Sequence, residues 1–264
     1  MTGSRPSRRS GLGAALALAG LLVVAAVAVV LVGASSGPSS ADPELPPSPR
    51  SAFAPKNVPL GPRPATLWAP VVAAAAARVG PGTPAVAAWV PARTPEGTTN
   101  IVLVLGETER RGGKLWVRVR AAGSPDDVRG WMPRTALGGY TPVRTRLVVS
   151  RDQRTATLLR DGRRLFQTAV GIGAPTTPTP SGDFYVRNLL HKYRSPFYGP
   201  VAFGTSARSA AVRDWPTGGF VGIHGTNRPD LIPGEISAGC IRMTNRDILR
   251  LARLMRVGTP VSVR

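Results

Sequence analysis

Residues 146–169 read RLVVSRDQRTATLLRDGRRLFQTA, in which short apolar runs alternate with polar turn residues. We predict three strands in this segment: Arg146–Ser150, Thr155–Arg160 and Arg163–Ala169. The dipeptide Asp161-Gly162 between the last two favours a type I′ hairpin turn. The segment therefore predicts an antiparallel arrangement and a mainly β fold.

Further strands and one helix are predicted downstream of this segment. A strand is expected at Asp183–Asn188 and a closing strand at Val261–Val263. The long stretch Leu189–Gly219, in which only Pro200–Phe203 is strand-like, is expected to be a lid or binding loop. After Cys240 the run Thr244-Asn245-Arg246-Asp247 resembles a capping box with Asp in place of Glu. We expect a helix there whose core face carries five residues: Ile248, Leu249, Leu251, Ala252 and Met255.

Residues 221–243, VGIHGTNRPDLIPGEISAGCIRM, hold the only cysteine of the chain and one of its two histidines. A thiolate nucleophile needs a base to take its proton and N–H groups to hold the oxyanion. His224 follows a predicted short strand, and Ser237–Cys240 is a small-residue turn whose amides can converge on one oxygen. Cys240 taken alone is more simply explained as a small buried apolar residue.

The N-terminal part of the chain has the composition of an export segment. Residues 1–10 carry three arginines and no acid, and residues 11–33 are uncharged and rich in Leu, Ala and Val. We predict a cytoplasmic basic tail followed by a transmembrane anchor or a cleaved signal segment, because the apolar run is near the length of about 20 residues that spans a membrane. Residues 34–64 are dense in proline and predict an extended linker outside the membrane.

Residues 65–140 show short strands interrupted by Gly and Pro. Leu115–Arg120, LWVRVR, alternates with period two as a half-buried strand does. With the following GWMPRTAL this run resembles a bacterial SH3-like barrel. The resemblance implies a small β domain that binds wall peptide or polymer, and a domain that acts only as a spacer remains an equal alternative.

The composition restricts the function classes. The net charge of +20 rests on 34 Lys and Arg, of which 31 are arginines, and such a surface attracts polyanions such as anionic wall polymers. The arginines are scattered without a nucleic-acid reader motif, so we expect no nucleic-acid partner. A single cysteine excludes an intramolecular disulfide and a multi-cysteine zinc site, and no metal or other cofactor is expected.

Four motifs together carry a family resemblance. The run from Arg146 to Val186, then PFYGPVAFGTS, GIHGTN and SAGCIRM, resembles the catalytic domain of the L,D-transpeptidases, the YkuD domain, over roughly Arg144–Arg264. The resemblance implies a β-sandwich with one C-terminal helix at residues 141–264. It also implies a cysteine enzyme that acts on peptidoglycan stem peptides in the extracytoplasmic cell wall, in wall biogenesis and cell shape.

The resemblance assigns roles to residues of this sequence. Cys240 would be the nucleophile, His224 its base, the Gly225 carbonyl would orient the imidazole, and the N–H groups of Gly239 and Cys240 would form the oxyanion hole. The substrate-binding residues would be Ser237, Arg242, Thr226, Asn227, Tyr198, Phe203 and Trp215. One departure is Ala238, where the family commonly has a second histidine, and His224 is left as the only imidazole of the motif.

The implied reaction is formation of 3→3 cross-links through a thioester. Cys240 would attack the carbonyl of the third residue of a tetrapeptide stem and expel the terminal D-alanine, and a side-chain amine of a neighbouring stem would then attack. Two alternatives remain: a non-catalytic peptidoglycan-binding protein, and an L,D-carboxypeptidase in which water is the acceptor at the same site.

Overall fold

In the computed structural model of the protein, the described residues are 65–123, 127–191, 195–212 and 219–264. The predicted basic tail, anchor or signal segment and linker lie outside them, as does Trp215. Within the described part of the chain, no helix is long and apolar enough to cross a membrane. All the described residues belong to one compact unit.

The first sheet has seven strands. They are β1 Thr66–Pro70, β2 Ala75–Arg78, β3 Val86–Val90, β4 Ile101–Arg111, β5 Lys114–Ala121, β6 Val128–Pro133 and β7 Thr141–Val143. Their spatial order is β3-β2-β6-β5-β4-β1-β7. Because β7 pairs with β1, the sheet extends three residues beyond the boundary predicted at 140.

The central strand β5 behaves as its sequence predicts. From Val117 to Ala121 buried residues alternate with half-buried ones, so that Val117 and Val119 face the core and Arg118 and Arg120 face outward. The apolar side packs on Val102 and Met132, which are fully buried. Burial of such side chains contributes about 1.5–3 kcal/mol each. The SH3-like assignment of this sheet stays a prediction.

The second sheet has ten strands, and one helix lies between its last two strands along the chain. The elements are β8 Thr145–Ser150, β9 Thr155–Arg160, β10 Arg163–Ala169, β11 Gly171–Gly173, β12 Gly182–His191, β13 Val201–Arg208, β14 Phe220–His224, β15 Gly234–Ser237, β16 Ile241–Arg242, α1 Asn245–Leu254 and β17 Pro260–Val263. The strand order is β10-β9-β8-β17-β12-β13-β14-β16-β11-β15. The described part of the chain is therefore mainly β, and it has one α-helix at the position predicted from the sequence.

The predicted hairpin between β9 and β10 is confirmed in its turn geometry. Asp161 and Gly162 both have positive φ, 51° and 82°, which a type I′ turn requires. The predicted helix is also present, with Thr244 as its N-cap. Leu249 is the exception on its expected core face, because its side chain is exposed rather than buried.

Strand β12 connects the two halves of the second sheet. Its first residues pair with β17 and its last ones with β13, so the sheet continues through one long strand. Leu147 and Phe166 from one half and Phe203 and Ile223 from the other belong to the same core cluster. The two halves therefore pack on a shared core, which α1 completes through its buried residues.

The expected lid or binding loop at Leu189–Gly219 is wrong in its extent, although the strand-like run expected at Pro200–Phe203 does lie at the start of a strand. Strand β12 continues to His191, and β13 occupies Val201–Arg208. Strand β13 is buried along almost its whole length, so its small and polar residues show no apolar alternation. Its polar side chains are hydrogen-bonded internally, as when Thr205 Oγ1 donates to the Val221 carbonyl at 2.7 Å.

Candidate active site

His224 ends strand β14, and Cys240 directly precedes the neighbouring parallel strand β16. Strands β14 and β16 pair with Ile223 opposite Ile241 and His224 opposite Arg242. Cys240 immediately precedes β16, and its Sγ accepts a hydrogen bond from the Gly222 N–H at 3.3 Å. Because side chains two residues apart in a strand share a face, the parallel register brings the thiol and the imidazole to the same side of the sheet.

The imidazole of His224 has a defined tautomer. The ring is fully buried, and its Nδ1 lies 2.6 Å from the Gly225 carbonyl oxygen. Because a carbonyl oxygen only accepts hydrogen bonds, Nδ1 carries the proton and Nε2 has a lone pair. Among the described residues Nε2 has no hydrogen-bond partner. The ring is therefore arranged as a base at Nε2.

Burial keeps this imidazole neutral. Desolvation lowers the pKa of His224 from 6.5 to about 4; the Gly225 hydrogen bond opposes the shift and the positive charge of Arg242 adds to it. At neutral pH the ring can therefore accept a proton. The chemistry open to the pair is general-base activation of the thiol rather than a resting thiolate–imidazolium pair.

The turn that carries Cys240 is closed by Ser237. Its hydroxyl donates to the Cys240 carbonyl at 2.6 Å and accepts from the Gly239 N–H at 3.1 Å. The N–H of Gly239, expected in the oxyanion hole, is thus engaged within the turn, and Ser237, expected to contact substrate, is buried. Gly239 has φ +123°, a conformation that glycine tolerates and other residues rarely adopt.

The Pro/Thr loop at residues 174–181 also supports the turn that carries Cys240, a role that was not predicted from the sequence. Thr179 Oγ1 accepts from the Gly173 N–H and donates to the Gly239 carbonyl, both at 2.9 Å. Thr177 Oγ1 donates to the Ser237 carbonyl at 2.9 Å. The repeated Thr residues between prolines were the sequence signal for this role, because Thr side chains form hydrogen bonds with backbone groups where regular strand pairing is absent.

Aromatic rings cover one side of the imidazole. Tyr198 lies 4.8 Å and Phe197 6.0 Å from His224, measured between ring centroids. The guanidinium of Arg242 stacks over Phe197 at 4.2 Å from its centroid. Tyr198 and Arg242, which were predicted from the sequence to bind substrate, thus lie beside His224. Phe197 is an additional neighbour that was not predicted.

Other predicted substrate contacts lie elsewhere. Phe203 is fully buried in the main core and pairs with Ile223 and Leu189, so it does not line a cleft, which corrects the prediction. Thr226 is also buried, and its hydroxyl accepts from the Arg228 N–H, a bond inside its own loop. Asn227 is exposed. Over the described ranges no group of three His, Cys, Asp or Glu side chains is arranged to hold a metal ion.

In the described residues these features define a mainly β fold in which a histidine ends one strand and a cysteine directly precedes the adjacent parallel strand. Residues 144–263 match the family model of the YkuD L,D-transpeptidase catalytic domain. This part of the chain is therefore similar to the L,D-transpeptidase catalytic domains of the YkuD family. The first sheet lies outside the matched range.

Known relatives align with the same region. The YkuD protein of Bacillus subtilis strain 168, whose assignment as an L,D-transpeptidase is itself provisional, is 36% identical over 117 residues, which are 44% of this chain and 64% of that protein. Its counterpart from Bacillus licheniformis is 37% identical over 118 residues, 45% of this chain and 64% of that protein. The chain thus spans less than two thirds of each relative's length.

Solved structures of L,D-transpeptidases also match this chain. The catalytic domain of an L,D-transpeptidase from E. faecium is 27% identical, with 46% of this chain and 96% of that chain covered and a TM-score of 0.35.

Proposed function

We propose that this protein is a peptidoglycan L,D-transpeptidase that forms 3→3 cross-links through a thioester on Cys240. The observation that carries the proposal is the neutral, buried His224 with its Nε2 lone pair, on the strand beside the one that follows Cys240. A base of this kind is what activation of a thiol requires. Ala238 is compatible with the proposal because His224 alone supplies the acceptor for the proton.

The proposed reaction has two acyl-transfer steps. In the first, His224 Nε2 takes the thiol proton, Sγ attacks the carbonyl of the third stem residue, and the proton passes to the departing amine of D-alanine. In the second, the side-chain amine of another stem attacks the thioester, its proton goes to Nε2, and the thiol is regenerated on release of the amide. Gly225 keeps the imidazole oriented in both steps.

The oxyanion contacts differ from those expected from sequence. We assign the Cys240 amide as the first donor to the developing oxyanion. The Gly239 N–H contributes only if it shares its proton between substrate and the Ser237 hydroxyl, which it contacts at 3.1 Å.

Arg242 is the residue that we propose to hold a stem carboxylate. Arg242 is half-buried, and its guanidinium stacks on Phe197, so its planar fork has a fixed orientation beside His224. A guanidinium held in this way binds a carboxylate through two parallel hydrogen bonds. Tyr198 and Asn227 stay in the proposal as further substrate contacts, as does Trp215 from outside the described residues.

The remaining parts of the chain belong to the same proposal. The N-terminal part would place the enzyme outside the cytoplasm. It would consist of a basic cytoplasmic tail at residues 1–10, an anchor or signal segment at 11–33 and a linker at 34–64. Residues 65–140 would form an SH3-like domain near anionic wall polymers, and 141–264 the catalytic domain. The 31 arginines of the chain favour such an anionic surrounding.

The proposal is tested with the full chain in detergent and purified tetrapeptide stems. We expect free D-alanine and cross-linked dimers by mass spectrometry, and a covalent adduct of whole-protein mass with a carbapenem. Cys240→Ala should abolish all three products, and retention of any of them in that variant sinks the thioester mechanism. Release of D-alanine without dimers, even with excess amine stem, would instead identify an L,D-carboxypeptidase.

A further inference from the structure

The loop that follows His224 is held from the start of helix α1. The N–H of Thr226 donates to Asn245 Oδ1 at 3.0 Å. The same peptide unit presents the Gly225 carbonyl, which accepts the proton of His224 Nδ1 at 2.6 Å. Because the N–H and C=O of a trans peptide point in opposite directions, this single peptide joins Asn245 on one side to His224 on the other.

The space around this peptide is filled. A Cβ added to Gly225 would overlap Asn245 Oδ1 and come within 3.0 Å of Gly199 Cα. A Cβ on Gly199 would overlap the same Asn245 oxygen. Gly199 directly follows Tyr198, whose ring packs on His224. Asn245 therefore contacts both segments that surround the imidazole.

Asn245 is itself fixed by the helix that it begins. The N-cap Thr244 accepts the Asp247 N–H through its hydroxyl, and Asp247 also accepts a hydrogen bond from Thr168 at 2.8 Å. Ile248 and Leu251 anchor the helix in the main core with no exposed surface. The amide oxygen of Asn245 is therefore an acceptor at a fixed position.

We propose that Asn245 is a positioning residue for the base. Its Oδ1 holds the peptide between Gly225 and Thr226, and the Gly225 carbonyl in turn keeps the proton on Nδ1 and the lone pair on Nε2. An acceptor on the N–H side also polarises the peptide and strengthens its carbonyl as an acceptor. The catalytic part of this inference rests on the proposed function, while the tautomer of His224 does not.

The experiment compares Asn245→Ala, which removes the acceptor, with Asn245→Asp, which keeps an oxygen at the same place. Arg246→Ala is the matched control, because that side chain is 88% exposed at the same helix turn. The chain has two histidines, so 15N NMR of the histidine-labelled full chain resolves His224 once His191→Gln assigns the other signal.

We expect the wild type, Arg246→Ala and Asn245→Asp to keep the Nδ1–H tautomer, and Asn245→Ala to give a mixture of tautomers. With stems as substrate, Asn245→Ala should lower kcat about tenfold or more with KM little changed, since a positioned base contributes about 10²–10⁴-fold. Asn245→Asp should restore kcat. An unchanged tautomer in Asn245→Ala overturns the inference. If Asn245→Ala does not fold, a mixture of tautomers in Asn245→Asp overturns it instead.

The two proposals fail in distinguishable ways. If the wild type makes no cross-links but Asn245→Ala still shifts the tautomer of His224, the proposed function fails and the positioning role stands. If cross-links form and Asn245→Ala changes neither the tautomer nor kcat, the positioning role alone is refuted.

Discussion

Glu96 and Arg187 form a buried ion pair that joins the two sheets. The Nη2–Oε1 distance is 2.9 Å, and the side chains are 2% and 3% exposed. Asn188 adds an amide donor to the other oxygen of Glu96, and the Arg187 guanidinium lies 3.6 Å from the centroid of Phe220, the first residue of β14. The strand that ends in His224 is therefore braced, through Arg187, by a residue of the loop between β3 and β4.

Glu96→Gln should reduce the free energy of unfolding by about 3 kcal/mol, because it leaves the buried Arg187 charge without its counter-charge. Chemical denaturation of the full chain measures the difference.

Glu107→Gln is the matched control for this prediction. Its ion pair with Arg118 is exposed, with side chains 52% and 39% accessible, and its loss should change stability by less than about 1 kcal/mol. Equal effects of the two substitutions would contradict a stabilising role for the buried pair.

The buried ion pair between Glu96 and Arg187 was not predictable from the sequence. Strands β5, β8 to β10 and the helix were predicted because their signals are local: period-two alternation, the Asp161-Gly162 turn and the Thr244 cap. Glu96 and Arg187 are 91 positions apart. No local pattern indicates such a pair, since each residue alone has the character of an ordinary surface charge.

The candidate site was predictable in its chemistry and less so in its contacts. His224 and Cys240 were found because few residue types support thiol chemistry, and the chain has one cysteine. Phe203 and Tyr198 are both aromatic residues of one motif, yet Phe203 is in the core and Tyr198 packs on the base. Strand register decides whether such a side chain is in the core or beside His224, and register depends on pairing partners that the motif does not contain.

Thr179→Val should destabilise the protein and slow the reaction. The substitution keeps the side-chain shape but removes the hydroxyl that serves the Gly173 N–H and the Gly239 carbonyl. An unsatisfied buried polar group costs about 1–3 kcal/mol. Because Gly239 precedes Cys240, the proposed nucleophile, the rate of D-alanine release should fall as well as the melting temperature.

Thr176→Val controls for the loss of a hydroxyl from the same loop, because Thr176 is exposed. We expect its melting temperature and rate to match the wild type. The support that we attribute to Thr179 would be contradicted if both valine variants behaved alike.

The stability of the protein should fall as the pH is lowered from 6.5 to about 4, because burial depresses the pKa of His224 to about 4. In this window the unfolded chain takes up a proton on His224 and the folded chain does not. The contribution is complete above pH 6.5 and decreases by about 1.4 kcal/mol per pH unit, to a loss of about 3 kcal/mol near pH 4. Denaturant unfolding at a series of pH values measures it.

His224→Gln isolates this effect, since it removes the titrating ring and should flatten the pH dependence within the window. Asp183 and Asp247 also have lowered pKa values, but their contributions to stability are lost only below the usual carboxyl range.

Arg242→Gln removes the positive charge that lowers the pKa of His224. NMR titration should therefore give a higher pKa that still lies below 6.5, since burial is the larger cause. Arg242→Lys retains the charge and should leave the pKa near about 4. A pKa of His224 at 6.5 in the wild type would contradict the buried neutral base on which the mechanism depends.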